Sequence, residues 1–251
     1  MAIGFLSEIF TSIQGEGPYL GLKQIFIRFS GCSLGCEFCD TKDAWGKSPR
    51  FNVHNAHENQ LKKVYTNPIT PEDTISIIQN IIKKETYIHS IFLTGGEPLE
   101  QPEYFKELVI GLKKSKLNVY LETNTINFET LREVIDYIDI ISADIKILHP
   151  KFKNILSESL WKFLKIPPKD VLFLKIPVNN KLKPSYFHET IRKISSIRND
   201  TPVIIQPIYE ELLPEPSEKF IGLLFELQKI ASNYFNDVRI IPQIHKLLKI
   251  K

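Results

Sequence analysis

Gly31 to Thr41 reads GCSLGCEFCDT, and the placement of its cysteines governs how the whole chain is read. Cys32, Cys36 and Cys39 are the only cysteines among 251 residues, and their spacing is C-x3-C-x2-C. Three thiolates on one short loop can converge on one metal centre. Structural zinc sites close with four ligands, often paired C-x2-C units or cysteines joined by two histidines. No second cysteine pair exists, although His54 and His57 could in principle complete a zinc site. A cubane of four irons and four sulfides normally takes four cysteine thiolates. Three cysteines leave one iron without a protein ligand, free to bind something else.

Upstream, Gln24 to Phe29 reads QIFIRF, the β-branched and aromatic composition of a short buried strand. It delivers the chain directly into the cysteine loop. That is the geometry expected of a centre at the C-terminal mouth of a parallel barrel, where such folds place their sites. Arg28 is a charge in an apolar strand and needs a partner, either a core carboxylate or an anionic substrate. Further upstream, residues 7–21 read SEIFTSIQGEGPYLG, and their glycines with Pro18 predict a loop. Gln14 and Glu16 lie in it. Glycines let the backbone approach a ligand, and an amide beside a carboxylate can read the edge of a guanine-like ring.

Downstream, residues 42–69 are polar and predict a long irregular insertion or lid over the site, with His54 and His57 facing solvent. Thr70-Pro71-Glu72-Asp73 is a helix start: a threonine cap, proline in the first turn, then acids. His89 to Leu93 predicts a strand running into TGGEP, Thr94 to Pro98, whose glycines leave the backbone bare at a strand end. Helices and strands then alternate to a last strand over Val238–Ile241, which argues for a parallel sheet. Glu122, Ser142, Asp144, Lys146 and Gln206 fall at predicted strand ends, with Lys175 inside a strand; in a parallel barrel these ends share one rim. No repeat or linker breaks residues 1–251, so one domain is expected.

With 43% hydrophobic residues the chain can bury a full core. Lys and Arg number 32 against 29 acids, and a net charge of +3 is too small to argue for nucleic acid. The N-terminus lacks the pattern of a signal peptide, and no apolar run suits a membrane helix. Free cysteines at this spacing suit a reducing, cytoplasmic setting.

An iron–sulfur cluster with an open iron can bind S-adenosylmethionine (SAM) and reduce it, which is radical chemistry. The cysteine spacing resembles the signature of the radical SAM superfamily, in which a GGEP segment contacts the amino group of SAM. The match goes further. SIQGEG at Ser12–Gly17, FIRFSGC at Phe26–Cys32, CDT with Trp45, TGGEP, ETNT at Glu122–Thr125 and VRIIPQIHK at Val238–Lys246 together resemble the 7-carboxy-7-deazaguanine synthase family. The resemblance covers nearly the whole chain, in order.

It implies an α/β fold, a partial parallel β/α barrel of about six strands. It also implies conversion of 6-carboxy-5,6,7,8-tetrahydropterin to 7-carboxy-7-deazaguanine with loss of ammonia, a step toward 7-deazapurines such as queuosine. A homodimer, magnesium and a flavodoxin- or ferredoxin-type reductant come with it. By position, Cys32, Cys36 and Cys39 would hold the [4Fe–4S] cluster and Thr41 the magnesium. Ile13, Gln14, Gly15, Glu16, Arg28 and Thr94 would bind substrate. Gly96, Ser142, Asp144, Lys146 and Gln206 would lie near SAM. The chain departs from the family pattern at Asn124-Thr125 (in place of asparagine–glycine), at SADIK in place of serine–proline–lysine, and in the longer, more basic tail KLLKIK. Competing readings are a glycyl-radical activase, which needs an open groove for a protein loop, and an electron carrier, which needs no open iron.

Overall fold

A computed structural model describes residues 2–55 and 61–250. The described residues form one ten-stranded sheet: β1 (Leu6–Ile13), β2 (Lys23–Phe29), β3 (Arg50–Asn55), β4 (Leu61–Thr66), β5 (Ser90–Gly95), β6 (Asn118–Thr123), β7 (Ile140–Asp144), β8 (Leu172–Val178), β9 (Val203–Pro207) and β10 (Val238–Ile240). Their spatial order is β10-β9-β8-β7-β6-β5-β2-β1-β3-β4, so the sheet has two ends and does not close. From β2 through β5 to β10 every neighbouring pair is parallel. This is the expected partial barrel: six longer parallel strands, with the three-residue β10 as an added edge.

Both faces of the parallel strands are covered, so their sequences are nearly continuous apolar runs. Alternation sorts the two faces. Ile25, Ile27, Leu93, Leu121, Leu174 and Ile205 point outward and join the main core. There they meet Ile78 of α1 (Pro71–Ile82), Phe105 and Leu108 of α2 (Pro102–Leu112) and Leu131 of α3 (Phe128–Val134). Phe163 of α4 (Ser157–Phe163), Ile191 of α5 (Pro184–Ile197) and Leu227 of α6 (Glu218–Ser232) complete the shell. The inward residues Phe26, Phe92, Tyr120, Ile140, Phe173 and Ile204 pack with Phe10 as a second, separate cluster. The helix start reads as expected: Thr70 Oγ1 accepts from the Asp73 N–H at 3.1 Å.

Two sequence expectations are corrected. Residues 7–21 are not one loop, because Leu6–Ile13 is a strand antiparallel to β2. Its alternation was masked by Glu8, which lies opposite Arg28 and pairs with it. Nor are the described residues of 42–69 irregular throughout. Arg50–Asn55 and Leu61–Thr66 pair antiparallel, and β3 adds parallel to β1, so this segment extends the sheet edge. β4 is the edge strand, and its polar side chains hide it from a hydrophobic pattern. His54 does not face solvent: its Nε2 lies 2.9 Å from Glu8 Oε2 and its ring stacks 5.5 Å from Phe10. His57 lies outside the described residues. Among the described residues no helix is long and apolar enough to cross a membrane.

Candidate active site

A cleft opens over the C-terminal ends of β2 and β5–β9, and the period of the strands builds it in tiers. Phe26, Phe92 and Tyr120 of the inner cluster form the floor, register-matched on adjacent strands. Two residues further along, the same faces carry Arg28, Thr94, Glu122 and Lys175, all lining the cleft. Gln206, Asp144 and Lys146 line it further round the rim. Apolar floor and polar rim are thus one alternation read to its end.

The cysteine loop forms one wall. Gly31 N–H donates to Ala44 O at 2.7 Å and Cys32 N–H to Trp45 O at 3.1 Å, which clamps the loop against the turn that follows it. The TGGEP segment holds the other side: Gly96 N–H donates to Phe29 O at 2.9 Å and Glu97 N–H to Gly31 O at 2.8 Å. A Cβ on Gly96 would lie 2.1 Å from Gly31 O, and Gly95 has φ +106°. Two glycines are therefore required because two backbones touch, a packing reason beyond the bare backbone read from the sequence. Cys36 is buried, Cys32 and Cys39 half-buried, and all three thiols are free and line the cleft. Burial pushes the Cys36 thiol up to about 11, with Lys146 pulling the other way.

Charge is concentrated opposite. Lys175 Nζ donates to Glu16 Oε2 at 2.6 Å and to Glu122 Oε2 at 2.7 Å, and lies 3.3 Å from Asp144 Oδ2. Lys146 Nζ donates to Asp144 Oδ2 at 2.7 Å. Burial would raise Asp144, but Lys146 and Lys175 hold it below the usual carboxylate range. Burial would likewise raise Glu16, and Lys175 overrides it. For Glu122 burial wins: its carboxyl is raised despite Lys175, with Glu16 and Asp144 adding to the rise.

Arg28 has the core carboxylate partner and also faces the cleft. Its Nε donates to Glu8 Oε1 at 2.8 Å and its second nitrogen to Thr41 Oγ1 at 2.8 Å, while the side chain lines the cleft. Gln14 also lines it, but its amide is turned inward: Nε2 donates to Gln24 Oε1 at 3.0 Å and Oε1 accepts from Glu16 N–H at 3.1 Å. Gln14 braces the loop that presents Glu16.

Every residue proposed from the sequence lines this cleft except Ser142, which is fully buried in β7 beside Glu122 in the register. Sequence reasoning missed the C-terminal contribution. Gln243 Nε2 donates to Glu16 Oε1 at 2.7 Å and to Asp40 Oδ2 at 2.9 Å. His245, in the short helix α7 (Ile244–Leu247), packs on Gly15, where a Cβ would lie 2.3 Å from its Nδ1. The signal was VRIIPQIHK, whose polar residues follow a strand as they do elsewhere on the rim. Asp40 and Glu97 were also missed. Glu97 accepts from Thr123 Oγ1 at 2.8 Å and Asn124 N–H at 2.7 Å, tying the turn after β5 to the end of β6 where all three residues line the cleft. The turn at Asn124-Thr125 keeps the shape glycine would give, because Thr125 takes φ +70° itself.

The donor set fits an iron–sulfur centre beside a polar ligand. Three thiols line the wall, and Ser142 Oγ, Asp144 Oδ1, Asn124 Nδ2 and Gln206 Oε1 are buried without a hydrogen-bond partner among the described residues. Buried polar atoms normally have partners, and Asn124, Asp144 and Gln206 line the cleft, so their atoms mark where one is to be met. For a hard cation, Glu16, Asp40 and His245 hold ligand atoms within 4.8 Å of one another, and the Thr41 hydroxyl donates to Asp40 Oδ1 at 2.9 Å.

Comparison with known proteins agrees. Residues 26–166 match the Radical SAM superfamily. The chain is 32% identical to the 7-carboxy-7-deazaguanine synthase of Geobacter sulfurreducens, covering 97% of this chain and 96% of that one. It is 31% identical to the synthase of the same name from Methanopyrus kandleri, covering 96% and 92%. Among solved structures, QueE from Escherichia coli superposes with a TM-score of 0.61 at 20% identity, covering 96% and 94%. A radical SAM methyltransferase from Sphaerobacter thermophilus gives 0.54 at 12% identity, covering 88% and 70%.

Proposed function

Because this chain belongs to the radical SAM superfamily and, within it, to the 7-carboxy-7-deazaguanine synthases, we propose that it converts 6-carboxy-5,6,7,8-tetrahydropterin to 7-carboxy-7-deazaguanine with loss of ammonia. It is a radical SAM lyase of 7-deazapurine biosynthesis. The observation that carries the assignment to this cleft is that the three thiols and the Glu16, Arg28 and Glu122 charges line the same opening. A [4Fe–4S] cluster and SAM, the cofactors of the superfamily, would supply the radical chemistry when bound.

Cys32, Cys36 and Cys39 would hold the cluster. Gly96, Asp144, Lys146 and Gln206, with Ser142 beneath them, would receive SAM; the unpartnered atoms of Ser142, Asp144 and Gln206 support this half. Ile13 to Glu16, Arg28 and Thr94 would hold the pterin. Glu16 accepts from the donor edge of the pyrimidine ring while Gln14 keeps its loop in place. Arg28 offers a fixed guanidinium to the carboxylate, held by Glu8. The aromatic floor of Phe26 and Phe92 excludes water beneath the ring.

Magnesium at Thr41 is supported by its donor set: the Thr41 hydroxyl and the carboxylates of Asp40 and Glu16 are hard oxygens of the kind that ion takes. The ion would take over the Thr41 oxygen that accepts from Arg28. The same reading carries a homodimer, a flavodoxin- or ferredoxin-type reductant and a cytoplasmic setting, in one domain over residues 1–251 with the β3–β4 hairpin as its insertion.

Anaerobic incubation of the reconstituted enzyme with the carboxylated pterin, SAM and a reductant should give 7-carboxy-7-deazaguanine and ammonia by mass analysis. Cleavage of SAM with the pterin returned unchanged would send the substrate assignment to another molecule.

A further inference from the structure

Lys175 stands where no family motif placed a residue. It is 3% exposed, at the middle of β8. A buried ammonium is costly unless paired, and this one meets three carboxylates from three parts of the chain. Glu16 comes from the loop after β1, Glu122 from β6, and Asp144 from β7, where it is the register partner of Lys175. Asp144 has a second cation in Lys146, and Glu16 has Gln243. Among the described residues Glu122 has only the Thr94 hydroxyl besides, at 3.3 Å. Three acids thus share two lysines, and Lys175 is common to all three.

We propose that Lys175 is a positioning residue: its ammonium fixes Glu16 and Glu122 on the pterin side and Asp144 on the SAM side as one ionic cluster, coupling the two ligands. This rests on the assignment of those two halves to pterin and SAM. The chemistry follows from charge. A guanine-like edge offers N–H donors, so Glu16 reads it only as a carboxylate. Without Lys175 the three buried carboxylates would repel one another and move apart. Glu16 would then lose its fixed place on the pterin side, and Asp144 its fixed place beside Lys146.

The test compares the wild-type holoenzyme with Lys175→Met, Lys175→Arg and the double variant Lys175→Met/Glu122→Gln. Lys175→Met should raise the pterin KM by roughly 30-fold or more, the effect of truncating one member of a buried charge pair. It should also weaken SAM binding to the cluster-loaded protein by about tenfold or more, since Asp144 loses one of its two cations. Lys175→Arg should keep both affinities within a few-fold of wild type. The double variant, with one acid fewer, should regain part of the lost affinity.

A second readout needs no turnover. In the cluster-free protein the melting temperature of Lys175→Met, measured relative to wild type at each pH, should recover as pH falls from 7 to 5, as the stranded Glu122 and Asp144 protonate. A pterin KM within threefold of wild type, or an unchanged SAM affinity in Lys175→Met, overturns the proposal. Should Lys175→Met not fold, the double variant decides by the same two affinities. Should the wild type not turn over the pterin, the substrate assignment falls by itself. Equilibrium SAM binding by the cluster-loaded protein then decides, and equal affinity in wild type and Lys175→Met removes the coupling role.

Discussion

Cys36 is the deepest of the three thiols, and its burial makes it the hardest to ionise unaided. A metal ligand must be the thiolate, so loading the cluster pulls that proton off. Cys36→Ala should leave a folded chain that binds little iron and sulfide, read by metal analysis and visible absorption; near-stoichiometric iron in that variant would remove Cys36 as a ligand. Glu97 makes a different prediction. It is 1% exposed, and burial lifts its carboxyl to about 7, against the opposing pull of the Asn124 and Leu99 N–H groups and Thr123. Its folded-state pKa lies above the ordinary value of 4.5. Its contribution to stability is therefore full below pH 4.5 and is lost as pH rises through about 7. Over that window the loss is on the order of 3 kcal/mol. The unfolding free energy of Glu97→Gln relative to wild type should drift in the variant's favour by about that amount between pH 4 and 8; a difference flat with pH would place the carboxyl in its ordinary range.

The TGGEP turn and the β3–β4 hairpin differ in how far the sequence announced them. The turn was readable because strand, glycines and acid sit in unbroken order, although the cause, Gly96 lying against Gly31, belongs to tertiary structure. Gly96→Ala forces a Cβ to within 2.1 Å of a backbone oxygen that cannot swing away. The cost should be about 1–3 kcal/mol, seen as a lower melting temperature and poorer cluster loading together. The hairpin was hard to read because β3 carries only two apolar residues, Phe51 and Val53, in its alternation, and the edge strand β4 keeps no period in LKKVYT. Arg28 was readable as a buried charge, but Glu8 was not readable as its partner, since only the antiparallel register brings them together. The hairpin also reaches the site. His54 holds Glu8, Glu8 holds Arg28, and Arg28 holds Thr41. His54→Ala should raise the pterin KM by a few-fold to about tenfold, the scale of one hydrogen bond to a charged group acting at one remove. An unchanged KM would show that Glu8 orients Arg28 without help from the insertion.

An open sheet leaves its two ends apart in strand order, yet the parallel run curls until the chain beyond β10 meets the loop beyond β1. Ile244 N–H donates to Gly15 O at 2.9 Å, His245 fills the space over Gly15, and Gln243 spans Glu16 and Asp40. The barrel is closed at its mouth by a latch of side chains and one backbone bond rather than by a strand pair. From the other side, Gly17 lies against Phe173, and Tyr19 stacks near Tyr120 and Phe173 at 5.6 and 6.2 Å, so the same loop plugs the floor. Such a latch buries little apolar area: Leu247 and Leu248 are about half exposed. Removing it should therefore cost the core little while freeing Glu16 from one of its two holders. A chain ending at Pro242 should melt within a few degrees of wild type but bind the pterin at least tenfold more weakly, about 1.4 kcal/mol, with its iron content unchanged. Gln243→Ala in the full chain should show part of that loss, because Asp40 and Glu16 then lose their common donor. Full pterin affinity in the shortened chain would mean that Lys175 alone sets Glu16, and that the curl of the sheet needs no fastening at the mouth.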